Sequence, residues 1–186
     1  MTTDDGVPPT HVRAFLAIYP DEAARGELAD VAPEESDDVR VSDMADWHVT
    51  MRFLGQVPSE VVASVVKAAT GALEHVAPFS VWLGPMTALG AGAKVLFVPA
   101  EGADAAACSL DDALGDLVAP RDGPYRGHLT LARARGRGRL PSSLSGCPVG
   151  ISFPVEEVAL VASRLEPERA VHQVVHRFSL GGSKST

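Results

Sequence analysis

One short pattern occurs twice in this chain of 186 residues, as His48-Val49-Thr50-Met51 and again as His128-Leu129-Thr130-Leu131. Strict alternation of polar with apolar residues is the period of a half-buried β-strand. On a strand, residues i and i+2 project from the same face. His48 therefore shares a face with Thr50, and His128 with Thr130, while Val49, Met51, Leu129 and Leu131 pack the other side. If the two copies face each other, two imidazoles and two hydroxyls converge on one small space. Such a space suits an anion and the movement of protons.

Hydrophobic residues make up 46% of the chain, enough for a packed interior. No apolar run approaches the ~20 residues that span a bilayer, and residues 1–9 lack the basic and apolar regions of a secretory signal. Two cysteines, Cys108 and Cys147, cannot build a disulfide framework or a zinc cage. A cytoplasmic, reduced protein with no membrane partner is expected, with Cys108 packed in an Ala-rich helix. The net charge of −8 argues against broad nucleic-acid binding, and no DNA partner is expected. Yet Arg121, Arg126, Arg133, Arg135, Arg137 and Arg139 flank the second motif. Arg126 and Arg133 are candidates for a phosphate-attracting field. Arg135, Arg137 and Arg139 read as a solvated Arg-Gly loop.

Along the chain, strands are expected over residues 12–18, 47–54, 79–83, 94–98, 127–133, 153–165 and 170–180. Helices are expected over 22–31, capped by Asp21, then from Ser59 through Leu73, and over 104–118. The order implies an α+β protein, and the duplicated motif suggests a pseudo-symmetric pair of sheet lobes. Residues 1–11 read as a disordered lead-in and 181–186 as a flexible tail, leaving a single domain over 12–180. A monomer is the default. Strand parity places Trp47 and Phe53 on the apolar side with Val49, and places His172 and His176 on a common face. Gly90-Ala91-Gly92 lacks the lysine of a phosphate loop and reads as a hairpin. Asp43 and Asp46 do not fall at metal-ligand spacing, so no metal and no cofactor is expected.

Histidine, with an ordinary pKa of ~6.5, serves as acid or base near neutrality. Two histidines on opposite sides of a phosphate divide the work: one accepts a proton from water, the other donates one to the leaving oxygen. Threonine hydroxyls on the same faces can hold the non-bridging oxygens.

The segment from His48 to Gly55, His-Val-Thr-Met-Arg-Phe-Leu-Gly, resembles the first signature of the 2H phosphoesterase superfamily. His128-Leu129-Thr130-Leu131-Ala132-Arg133 resembles its second. The run from Arg13 to Ile18 with Pro20 beyond it, Val158-Ala159-Leu160 with Ser163-Arg164-Leu165, and Arg177-Phe178-Ser179-Leu180 are similar to other strands of one branch. That branch is the RNA 2′,3′-cyclic phosphodiesterases, also called 2′-5′ RNA ligases. The resemblance implies a bilobal α+β fold, with two antiparallel sheets lining a central cleft and helices outside. It implies metal-independent hydrolysis of an RNA-terminal 2′,3′-cyclic phosphate to a 2′-phosphate. His48 and His128 would be catalytic, and Thr50, Thr130, Arg133 and Arg126 would bind substrate. By the family's usual scheme His128 activates water and His48 protonates the 3′ oxygen. Gly127 stands where the family often has Pro, a change expected to loosen the start of the strand. His172 stands where Tyr is common. Rival readings are 2′-5′ ligation, action on small cyclic or 2′-5′ linked nucleotides, a metallohydrolase, and a non-catalytic RNA-end binder.

Overall fold

The computed structural model describes residues 10–166 and 170–181. Alternation becomes sheet in the expected places. The strands are β1 (His11–Ile18), β2 (Val39–Val41), β3 (Val49–Pro58), β4 (Phe79–Leu83), β5 (Ala88–Leu89), β6 (Val95–Glu101), β7 (His128–Ala134), β8 (Ile151–Val155), β9 (Glu157–Leu165) and β10 (Ala170–Ser179). The helices are α1 (Glu22–Val31), α2 (Val62–Leu73) and α3 (Asp104–Leu114). Asp21 caps α1, accepting the Ala24 N–H at 2.8 Å, as its position ahead of the helix predicts.

The main sheet path runs β10-β9-β1-β3-β7-β6-β4-β8, and every pairing along it is antiparallel. It falls into two halves. β3 and β7, the two motif strands, meet at the single pair Val49–Leu129, and that pair is the junction between β10-β9-β1-β3 and β7-β6-β4-β8. The three helices cover one face. Leu28 of α1, Val65, Ala69 and Leu73 of α2, and Leu110 and Leu114 of α3 share a core with Leu16, Val49, Met51, Leu129 and Leu131. Phe15, Ala17, Ala159 and Val161 form a separate small cluster. They alternate with core residues along β1 and β9, so they mark the opposite face, which the helices leave open.

Several expectations are corrected. The segment over 153–165 is two strands, because Glu156 breaks it and sends β8 to β4 while β9 pairs with β1. The first motif strand does not stop at Gly55; that glycine takes φ +71° inside β3, a conformation its missing side chain allows, and pairing continues to Pro58. β2 forms beyond the acidic loop where no strand was expected, edging β7. His11 belongs to β1 rather than to a lead-in. Cys108 is exposed on α3 rather than packed. Residues 1–9 of the expected lead-in, the tail beyond Gly181 and Pro167 of the expected last turn lie outside the described residues.

Candidate active site

Val49 and Leu129 are both fully buried, so the residues flanking each of them point to the open face. Antiparallel pairing at that pair runs the two chains in opposite directions. His48 and Thr130 leave it on one side, Thr50 and His128 on the other. The sequence-level quartet is therefore brought to one junction by its own apolar partners.

Both imidazoles are held alike. His48 Nδ1–H donates to the main-chain carbonyl of Asp46 at 2.6 Å, and His128 Nδ1–H to that of Arg126 at 3.0 Å. A carbonyl oxygen cannot donate, so each Nδ1 carries the proton and each Nε2 is left for chemistry. Each ring also rests on an aromatic of the neighbouring strand. Phe15 of β1 stacks on His48 at 4.9 Å, and Phe97 of β6 meets His128 edge-on at 5.4 Å. Burial pushes His48 from its ordinary 6.5 down to about 4. The Asp46 hydrogen bond opposes that shift, while the charges of His172, Arg133 and His128 deepen it.

A linkage prediction follows from that value. Between pH 7 and 5 the unfolded chain takes up a proton on His48 that the folded one refuses, so stability falls with pH in that window. The loss due to His48 is about 2 kcal/mol. Comparing denaturant unfolding of the wild type and His48→Gln at the two pH values isolates it; equal pH slopes would refute the buried, neutral state.

Strict alternation would turn Phe53 toward the core and Arg133 away from His128. The structure reverses both, because each motif strand carries a β-bulge at the same motif position. On β3, Thr50 faces Ala17 and Arg52 faces Leu16, leaving Met51 extra; on β7, Thr130 faces Phe97 and Ala132 faces Leu96, leaving Leu131 extra. Two successive buried residues result in each strand, Met51 with Arg52 and Leu131 with Ala132. The carbonyl of each extra residue is bonded from outside the bulged pairing. Met51 O accepts from Arg121 Nη2 at 2.6 Å, and Leu131 O from the Ser42 N–H at 2.8 Å. Beyond the bulges Phe53 and Arg133 emerge on the open face. Arg133 pairs in register with Arg40 of β2, and its charge lowers the pKa of both His48 and His172. Arg126 is exposed, and its main-chain carbonyl is the part that holds His128.

Three features escape sequence reasoning. His172 of β10 meets His48 edge-on at 5.4 Å, with Nδ1 3.5 Å from the Asp46 carboxylate. Burial lowers its pKa, Asp46 opposing and Arg13 and Arg133 assisting. His172 does not share a face with His176, because a bulge at Val175 separates them: Val174 pairs with open-face Val161 and His176 with core Leu160. Arg52 lies on the core side, 2% exposed, bonded to Asp111 at 3.1 Å and to Ala119 O at 2.6 Å. Gly127 is pinned rather than loosened. Its carbonyl accepts the Ala100 N–H at 2.9 Å, and a Cβ there would run into the Ala100 carbonyl oxygen. Arg135 pairs with Glu35 and bonds Ser36 O on the exposed rim, in keeping with a solvated loop.

Known proteins share this architecture. A curated relative from Thermus thermophilus, named RNA 2′,3′-cyclic phosphodiesterase, is 28% identical over 192 aligned positions, spanning 92% of this chain and 91% of the relative. The crystal structure of the Thermus thermophilus protein TT0787 superposes with a TM-score of 0.81 at 26% identity, covering 92% of this chain and 99% of that one. Escherichia coli LigT complexed with 3′-AMP has the same fold, at a TM-score of 0.73 and 22% identity, covering 92% and 99%. The model of the 2′-5′ RNA ligase superfamily matches residues 19–166. With that model covering most of the chain and the sheet architecture shared, this chain belongs to the 2′-5′ RNA ligase superfamily.

Proposed function

We propose that the chain hydrolyses the 2′,3′-cyclic phosphate at an RNA end to a 2′-phosphomonoester, with His48 and His128 as proton donor and acceptor. The observation that carries this reading is the Val49–Leu129 junction, with both imidazoles tethered through Nδ1 and both Nε2 atoms left for substrate. A water gives its proton to one Nε2 and its oxygen to phosphorus. The P–O3′ bond breaks, and the other imidazolium supplies the proton that O3′ needs to leave as a hydroxyl. Thr50 and Thr130 hydroxyls donate to the non-bridging oxygens, and Arg133 offsets the charge that builds there. The scheme needs no metal. By resemblance His128 is the base and His48 the acid. In the latter role the phosphate anion must first raise His48 from about 4, after which its imidazolium is a strong donor. The name of the Thermus thermophilus relative supports the same substrate class.

The test is product analysis on an oligonucleotide ending in a 2′,3′-cyclic phosphate, with and without EDTA, and with a 5′-hydroxyl RNA present. The expected product is the 2′-phosphate in unchanged yield under chelation. Ligated RNA with no opened ring would assign the opposite direction, and abolition by EDTA would remove the two-histidine scheme.

A further inference from the structure

The second half of the sheet carries an aromatic side chain that the proton transfers do not use. Val81 and Leu83 of β4 are fully buried in the core, so Trp82 between them stands on the open face, 37% exposed. A single exposed apolar side chain needs no explanation; the place of this one does. The indole lies back over Gly84, just past the end of β4: a Cβ on that glycine would stand 2.7 Å from the indole Cζ2. Gly84 donates its N–H to the Pro99 carbonyl at 3.0 Å, and Pro99 pairs in register with His128. The row Gly84, Pro99, His128 thus crosses from β4 through β6 to β7. It sets the indole two strand spacings, ~10 Å, from the second motif strand.

The neighbouring row carries charge. Gly127 accepts the Ala100 N–H, which sets Arg126 beside Glu101, and Glu101 is the in-register partner of Trp82. Arg126 and Glu101 are both exposed. An RNA end does not stop at the nucleotide that bears the cyclic phosphate. The chain continues from its 5′ oxygen through a phosphodiester to a second base. That continuation calls for one cation and one flat apolar face, about a nucleotide's length from the histidines. We propose that Trp82 and Arg126 form a subsite for this adjoining nucleotide, the indole stacking on its base and the guanidinium pairing with the phosphodiester that links it to the reacting one. The assignment deepens the function proposed above and rests on it: the preferred substrate is an oligonucleotide rather than a mononucleotide. Glu101 repels a phosphate and so keeps the phosphodiester on the Arg126 side, leaving the indole to a base. With a net charge of −8 the protein holds the chain by such local contacts rather than by a general field. Stacking accepts any base. Trp82 touches no reacting atom, so its loss raises KM for the longer substrate and spares kcat.

The experiment measures kcat and KM of the wild type, Trp82→Ala, Trp82→Phe and Arg126→Gln on adenosine 2′,3′-cyclic phosphate and on the dinucleotide ApA ending in the same ring. The wild type is expected to show the lower KM for the dinucleotide. Trp82→Ala should raise that KM by ~5- to 150-fold and leave the mononucleotide KM where it was, while Trp82→Phe, which keeps a ring, restores the dinucleotide preference. Arg126→Gln should flatten the dependence of log KM for the dinucleotide on log salt by ~0.7, the contribution of one phosphate contact on a single strand. Equal KM values for the two substrates in the wild type, or an equal rise for both in Trp82→Ala, overturn the subsite. If the wild type opens neither ring, the proposed activity fails, and fluorescence still decides the subsite. The chain has two tryptophans, and Trp47 is buried at 1% exposure, so a ligand stacking in the cleft is read at Trp82. ApA ending in a 2′-phosphate should quench the wild type and leave Trp82→Phe unquenched. No quenching in the wild type, or equal quenching in both proteins, overturns the assignment.

Discussion

Replacing either His48 or His128 by alanine is expected to lower turnover of a 2′,3′-cyclic phosphate end by ~10²- to 10⁴-fold while leaving substrate binding largely intact. The expectation comes from the symmetry of the tethers. Each Nδ1 is committed to the carbonyl two residues upstream, so each ring has one nitrogen to offer and a fixed direction in which to offer it. Proton removal from water and proton delivery to O3′ belong to one displacement, and loss of either stalls it. The double mutant should therefore be little slower than the worse single mutant, rather than the product of the two effects. Single-turnover kinetics with a binding isotherm for each variant separates chemistry from affinity. Undiminished turnover in either single mutant would end the two-histidine mechanism.

The largest loss of stability is expected on the other side of the sheet, at Asp111 of α3. Its carboxylate lies 3.1 Å from Arg52 Nη1 and accepts from Arg121 at 2.8 and 3.0 Å. The Arg52 side chain is 3% exposed, so removing Asp111 strands a cation whose remaining partner is the Ala119 carbonyl at 2.6 Å. Breaking one half of a buried pair costs about 3–5 kcal/mol, because the remaining charge cannot return to water. Asp111→Ala should thus lower Tm by roughly 10 °C for a chain of this size. Replacing both partners with apolar residues, Arg52→Met with Asp111→Leu, should recover most of that loss. Thermal unfolding of the single and double variants decides it; a double variant no more stable than Asp111→Ala would refute the stranded-charge account. The network also reaches the site, since Arg121 bonds the carbonyl of the bulge residue Met51.

That carbonyl marks where sequence reasoning reaches its limit. The pairing of His48 with Thr50 and of His128 with Thr130 on one face was legible, since alternation over three residues needs no partner strand. So were α1, with Asp21 ahead of it, and the hairpin at Gly90, whose N–H bonds Val95 O at 2.8 Å. Beyond Thr50 and Thr130 the same rule misplaced Phe53 and would have turned Arg133 away. Each bulge is set by register against β1 or β6, and the carbonyl of its extra residue is bonded by Arg121 or Ser42, strands and residues remote along the chain. His172 escaped for a similar reason. Its contact with His48 exists because β10 docks on β9 and β9 on β1, two pairings that no local pattern records.

The chain by itself determined the chemistry it carries and the face from which each histidine projects, because strand periodicity is a property of neighbouring residues. Tertiary structure alone decided that the two histidines meet across Val49 and Leu129, that Phe53 and Arg133 join them, and that burial lowers the pKa of His48. Those outcomes depend on register, bulges and burial, which are set by which strands pair.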